Sequence, residues 1–382
     1  MNKSLTQEIS SAARGGLFAI NGILPDADSI LMRHHGGMNV YRELLNDPHV
    51  RSCVTSRKSG VLSKGWHIEQ HDASNSAFAL IKRVFDSLDT DSLISQILNA
   101  PLFGYQPMEI IWKPDNSSLI PDRIEPKPQE WFAFTKKGEL RLLTSSNLFD
   151  GEPLPDMKFL CPRHNATCLN PYGEKLLSSI FWAVTFKKGG LKFWVSFVEK
   201  YGMPWAIGKL NRQTTEEEAI SLRDALNNMV QDGVAVIDKN CDVELKDPAT
   251  RTASAAVYRE LVEFNNDEIS KALLGQTLTT QVGATGSYAA AKAHLCVRED
   301  IVQSDIKLVQ TTLNTLISWI ISLNFRPGER PPSFVICDKN AANTELAQRD
   351  EILSRIGVAF SKEYFQKTYA LNDNDFTIPS QP

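Results

Sequence analysis

Six cysteines, seven histidines and one Gly/Thr-rich loop are the residues from which chemistry could be built. Cys161, His164 and Cys168, in "CPRHNATC", are three soft zinc ligands in one short run. A structural zinc site takes four ligands, and no paired Cys or His lies near these at the usual spacing. His34 and His35 stand side by side without the HExxH frame that sets two ligands on one helix face, so they read as a solvated turn. Ser59 and Ser63 in "KSGVLSKG" have lysines nearby but neither a GxSxG elbow nor an SxxK frame. Asp86, Asp89 and Asp91 cluster where one helical pattern stops and the next begins, and helix capping accounts for them without a metal. These patterns predict no catalytic residue, no metal ligand and no cofactor site.

The stretch "LLGQTLTTQVGATGSYAAAKAHL", Leu273 to Leu295, raises the question of a phosphate cradle. A P-loop needs a lysine for the terminal phosphate directly after its second glycine, and a dinucleotide fingerprint needs a preceding strand. Here the first lysine is Lys292 and the stretch follows a helical pattern, so both fail. What remains is a polar loop, with Gly275, Gly283 and Gly286 as hinges. Thr277, Thr279, Thr280, Gln281, Thr285 and Ser287 give it a hydroxyl and amide edge. In "FKKGGLKFW", Lys187, Lys188 and Lys192 lie among aromatics and could touch phosphates or stack on bases. Lysines snorkelling from a long helix are the plainer reading.

Composition bounds the rest. A chain of 382 residues with 42% hydrophobic and 23% charged residues is an ordinary globular protein with more than one domain or subdomain. A net charge of −4 excludes an overall basic surface, so any DNA contact is expected to be loose or local. The cysteines form no CxxC pair, which points to free thiols in a reducing compartment. The start, "MNKSLTQEISSAARGG", lacks the apolar run of a secretory signal, and the chain is expected to stay in the cytoplasm. The uncharged run Leu308 to Phe325 is long enough to approach a bilayer span, but eight of its eighteen residues are Gln, Asn, Thr or Ser. A buried or interfacial helix is expected there, with no membrane.

The elements that would carry these residues follow from pattern and punctuation. Residues 1–45 read as an irregular arm. Asp47 and Pro48 start a helix that Gly60 or Gly65 ends. "GWHIEQ" is a strand, two amphipathic helices flank "DTD", and "MEIIW", "RIEP", "EWFAF" and "LRLLT" are short strands. This predicts an α+β domain over 46–172. A helix over 173–201 is apolar on nearly every side and must be covered on more than one face, with Gly189 and Gly190 as a bend. Thr214 and Thr215 with Glu217 and Glu218 form overlapping capping boxes. "VAVI" and "CDVEL" then read as a hairpin, closing a βαβ-like module over 202–250. A second long helix covers 251–274, and a third, the longest, covers 287–325. Residues 326–382 read as an extended spacer and a helical hairpin.

The runs "DPHVRSCVTSRKSGVLSKGWHIE", "NAPLFGYQPMEIIW", "VEKYGMPWAIGKL", "LLGQTLTTQVGATGSYAAAKAHLCVREDIVQSDIKLV" and "ILSRIGVAFSKEYFQKTYAL" resemble the Mu-like bacteriophage portal protein family, collinearly over residues 40 to 372. The resemblance implies a non-enzymatic ring of about twelve subunits, built from heterologous contacts. Such a ring sits at one vertex of a virion assembled in the host cytoplasm. It passes double-stranded DNA without sequence specificity. Its implied partners are the large terminase subunit, capsid and scaffolding proteins, and head-completion or tail proteins. In that scheme 46–172 is the wing, 173–201 and 251–274 are stem helices enclosing a small helix-plus-hairpin clip, 275–286 is a tunnel loop and 287–325 the spine. Arg212, Gln213, Lys239 and Asn240 would mark the terminase-facing clip tip. The likeness departs before Asn39 and after Leu371, which implies a reduced crown in 326–382. Two other readings stand beside it: a nucleotide-binding enzyme built on the Gly/Thr loop, and another virion scaffold or membrane-associated protein.

Overall fold

The computed structural model describes residues 22–34, 37–115, 117–201, 205–209, 215–232, 242–246, 252–277, 288–337 and 344–369. The chain divides into two compact units, Met1–Ser63 with Ile68–Phe334 and Lys64–His67 with Val335–Pro382. Helices and strands are mixed throughout, as the α+β reading expects.

Order begins earlier than the sequence suggests. β1 (Ile23–Leu24) pairs antiparallel with Phe134 and Thr135. α1 (Ser29–Arg33) starts at Asp28, whose side chain accepts from the amides of Ile30 and Leu31. Elements of two and five residues are too short to show a period, which is why the arm reads as irregular. α2 (Asn39–Leu44) leads to α3 (Pro48–Leu62), capped by Asp47 as expected. Its end does not match expectation: Ser63 is the C-cap, while Gly60 lies inside the helix. A Cβ on Gly60 would come within 2.7 Å of Val302 Cγ2, so this glycine serves a close helix approach rather than a stop.

β2 (Gly65–Glu69), α4 (Asn75–Ser87), α5 (Thr90–Ile97) and α6 (Ala100–Phe103) come next, with Asp89 capping α5 through the Ser92 amide. Then follow β3 (Met108–Asp115), β4 (Ser118–Pro126), β5 (Phe132–Thr135), β6 (Leu140–Thr144), β7 (Asn147–Pro153) and β8 (Phe159–Leu160). They make two antiparallel sheets, ordered β1-β5-β6-β7 and β4-β3-β8.

α7 (Leu176–Tyr201) is one helical span that Gly189 and Gly190 do not interrupt. β9 (Trp205–Lys209), α8 (Glu216–Asp232) and β10 (Asp242–Lys246) separate it from α9 (Thr252–Leu274), and α10 (Tyr288–Asn324) follows. The Thr215 amide donates to Glu218 at 2.9 Å, half of the expected capping box. Among the described residues β10 pairs antiparallel with β9, Asp242 opposite Lys209, across a whole helix. Short-range turn signals cannot see such a pairing. Val234–Ile237, the expected partner, lies outside the described residues.

The main core gathers Tyr41, Val50, Cys53, Phe103, Tyr105, Phe134, Tyr172, Leu177, Ile180, Ile269 and Leu273. It sits where α3 and the near halves of α7 and α9 meet the sheet edge. Tyr105, Phe134 and Tyr172 pack edge to face with centroids 5.0–5.6 Å apart. In α10, Val309, Leu313, Leu316 and Ile320 are fully buried while Thr311, Thr315 and Ser318 face outward. Cys296–Asn324 is long and apolar enough to cross a membrane by length and composition, but Val302, Ile306, Val309, Leu313, Leu316 and Ile320 on its apolar side are buried within the protein.

In the second unit, β11 (Ser333–Cys337) pairs with β2, placing a strand in the expected spacer. α11 (Thr344–Arg355) and α12 (Lys362–Tyr369) follow. They are joined through the buried Asp350 carboxylate, which accepts from Tyr364 at 2.9 Å, Tyr369 at 2.8 Å and Arg349 at 2.9 Å.

Candidate functional site

One side of α3 carries Val50, Cys53, Arg57 and Val61 at helical spacing, and all four are buried. Polar groups on and beside that stripe reach each of the three long helices. Asp47 caps α3 through the His49 and Val50 amides and also accepts from Lys187 Nζ of α7 at 2.9 Å. Burial raises the Asp47 carboxyl, but Lys187 and the two amides outweigh it and hold the pKa below the ordinary value. His49 Nε2 and Cys53 Sγ meet Ser270 Oγ of α9 at 2.7 and 3.8 Å. Burial, then the Lys187 charge, lowers the His49 pKa, and burial raises the Cys53 thiol. The imidazole is therefore held neutral and the thiol protonated.

Arg57 completes the hub. Its Nε and Nη2 donate to Asp305 of α10 at 2.7 and 2.9 Å, and Nη1 donates to the Leu273 carbonyl of α9 at 2.9 Å. Arg57 is 8% and Asp305 2% exposed, so this is a bidentate ion pair inside the unit. Nearby, Lys58 Nζ donates to Ser95 O and Asn99 Oδ1, and burial brings its pKa down to about 8. Every one of these groups meets a protein partner in a packed interior, an arrangement that holds helices in place. Lys187 is accordingly a correction: it is buried and ion-paired rather than snorkelling, while Lys188 and Lys192 are exposed.

The Gly/Thr-rich loop leaves α9 at this hub. Gly275 has φ +69°, a left-handed value that favours glycine, and its amide closes the helix on Lys271 O at 3.0 Å. A Cβ there would also meet Ile301 Cδ1 at 2.8 Å and Val297 Cγ1 at 3.1 Å. Thr277 is half-buried two residues further on. Thr279, Thr280, Gln281, Gly283, Thr285, Gly286 and Ser287 lie outside the described residues, as do Arg212, Gln213, Lys239 and Asn240. His164 Nδ1 rests on Glu174 O at 3.0 Å, and burial pushes the Cys161 thiol up to about 12.

Farther along the helix pair the chemistry changes. Gly190 and Phe197 of α7 face α9: a Cβ on Gly190 would be 2.8 Å from Leu261, and Phe197 meets Tyr258 at 5.8 Å between ring centroids. Two more stripes on α7 face solvent. Trp182, Phe186 and Phe193 make one, with exposures of 50–67%, and Leu191, Val195 and Val198 make the other, at 38–58%. At about 100° per residue the two stripes stand on opposite flanks of the helix. On α9, Val257, Leu261 and Phe264 are exposed as well. Ile269, further along the same helix, is buried.

The family described as portal protein of Mu bacteriophage matches residues 38–371. The chain is 26% identical over 310 residues to the Mu-like prophage FluMu protein gp29 of Haemophilus influenzae, covering 75% of this chain and 57% of that protein. It is 23% identical over 319 residues to the portal protein of Escherichia phage Mu, covering 80% and 62%. The chain thus spans about three fifths of the length of these relatives. A chain from the virion of a native gene transfer agent particle shares the fold, with a TM-score of 0.63 at 12% identity over 94% of this chain and 98% of that one.

Proposed function

This chain belongs to the family of Mu bacteriophage portal proteins, and from that premise we propose that it assembles with copies of itself into the ring through which double-stranded DNA enters and leaves a capsid. The observation that carries the reading is the pair of exposed apolar stripes on opposite flanks of α7. A monomer rarely leaves such surface in water. Two different flanks fit two different neighbours, which is the heterologous contact that closes into a ring.

In this reading α7 and α9 are the stem helices, the segment between them is the clip, α10 is the spine, and 275–286 is the tunnel loop. Thr277, Thr279, Thr280, Gln281, Thr285 and Ser287 would edge the channel, with Gly275, Gly283 and Gly286 as hinges. Arg212, Gln213, Lys239 and Asn240 would face the large terminase subunit. A chain near electrical neutrality suits a conduit, because every neutralised phosphate adds salt-dependent grip on DNA. Hydroxyls and amides at the constriction let the duplex slide. Catalysis is no part of the role. Capsid, scaffolding and head-completion or tail proteins complete the partner set, at a virion vertex assembled in the host cytoplasm.

Native mass spectrometry and negative-stain imaging test it directly. Rings of about twelve copies are expected; a full-length chain that stays monomeric at high concentration removes the proposal. Alanine replacement of Thr279, Thr280 and Gln281 together is expected to leave rings intact and reduce packaging, and undiminished packaging would remove the tunnel-loop assignment.

A further inference from the structure

Arg57 divides its donors between the two helices that the Gly/Thr-rich loop connects. One edge of the guanidinium is fixed by both oxygens of Asp305 on α10, and Nη1 holds the Leu273 carbonyl in the last turn of α9. Carbonyls of a last turn have no partner further along their own helix, so Arg57 supplies one from outside. The next residues are held at the same spot. Gly275 presses against Ile301 and Val297 of α10, and Gln276 is 3% exposed. Burial of α9 and α10 does not itself demand this contact, because Ile269, Leu273, Val302, Ile306 and Val309 already cover their inner faces. A Lys–Glu pair could neutralise the same two positions. A planar fork holds both carboxylate oxygens along one edge and reaches the carbonyl from a separate nitrogen on its other side, a spread that the single nitrogen of an ammonium lacks.

We propose that Arg57 is a positioning residue: it sets where Gly275–Thr277 leaves α9 against α10, and so where the chain enters the bore of the ring. The positioning stands on the geometry; its consequence for DNA rests on the portal reading.

The test uses the full chain with Arg57→Lys and the double variant Arg57→Lys/Asp305→Glu. The double variant keeps opposite charges of matched combined length and loses the spread of donors over three nitrogens. It is expected to retain the oligomer and melting temperature of the wild type, and unchanged hydrogen exchange in β3 and β4. Amides of Leu273–Thr277 should exchange at least about tenfold faster, as expected of a local rather than global opening. Particles carrying it as their portal should hold less DNA. Wild-type exchange rates at Leu273–Thr277 in the double variant overturn the proposal, and so does acceleration spread evenly over the chain, which would mark a merely structural pair. If neither lysine variant folds, Asp305→Asn, which keeps one carbonyl acceptor for the fork, must show the same local acceleration in smaller measure or the proposal fails. Local acceleration with normal DNA content overturns the consequence for DNA alone. A wild type that never forms rings removes the portal reading, while the exchange comparison still decides the role of Arg57.

Discussion

Along the α7–α9 pair, the half next to α3 buries Lys187 against Asp47 and Ser270 against His49, while the far half leaves Phe193, Val195 and Val257 in solvent. Charge is inside where the pair is rooted, and apolar surface is outside where it projects. That inverts the usual distribution along one continuous pair of helices. The inner half is held within one subunit, where Asp47, His49, Cys53, Arg57 and Lys187 each meet a partner. In the outer half no other described element of the first unit covers the stripes, and in the proposed ring neighbouring copies would cover them. In the proposed ring, that difference would separate what this chain needs in order to fold from what it needs in order to assemble.

The sharpest way to break that comparison is at the hub. Asp305→Ala leaves the Arg57 guanidinium buried beside a missing partner and is expected to cost about 3–5 kcal/mol of stability by denaturant titration; a loss under about 1 kcal/mol would show the hub to be an ordinary surface pair. Next comes Gly275→Ala, where the left-handed backbone alone costs about 1–2 kcal/mol and the approach to Ile301 adds to it. An unchanged melting curve would mean that the chain leaves α9 along another path.

On the outer half, Phe186→Glu and Val195→Glu, one on each flank of α7, are expected to change subunit stability by no more than about 0.5 kcal/mol. Each should nevertheless abolish assembly. Mixed together they should form dimers and stop, since one intact junction remains between unlike variants. Recovery of full rings on mixing would exclude a heterologous contact at these flanks.

Titration gives the smallest effects. Asp47 has a folded-state pKa below its ordinary value, so its contribution is present above about pH 4 and is lost as pH falls through the lowered value. Asp47→Asn should flatten that acid limb. Lys58 works the other way. With a folded-state value near 8 against 10.5 for the ordinary group, the unfolded chain binds more protons between those limits, and stability rises with pH across the window. Lys58→Met should remove the rise.

Much of the scaffold can be read from local signals. The Asp47–Pro48 start of α3, the Asp89 cap of α5, the Thr215–Glu218 box and the long helices all lie in short windows of sequence, and they appear where those windows place them. The hub does not, because its partners are far apart: Arg57 and Asp305 are separated by 248 positions, Lys187 and Asp47 by 140. A signal was nevertheless there. Arg57 interrupts the apolar stripe of Val50, Cys53 and Val61, and Asp305 interrupts that of Val302, Val309 and Leu313. Opposite charges at buried phases of two helices ask to be paired. Val257, Leu261 and Phe264 mislead for the converse reason. An apolar stripe left exposed has the same spacing as one buried in the chain's own core.

Asp47, His49, Cys53 and Arg57 also act as a ruler. They touch α7, α9 and α10 at fixed heights along α3 through contacts that tolerate only a few tenths of an ångström. Sliding any of those helices by a single residue rise, about 1.5 Å, would disengage its polar contact before the greasier surfaces around it resisted. The axial register of three long rods is therefore read off one helix of fifteen residues.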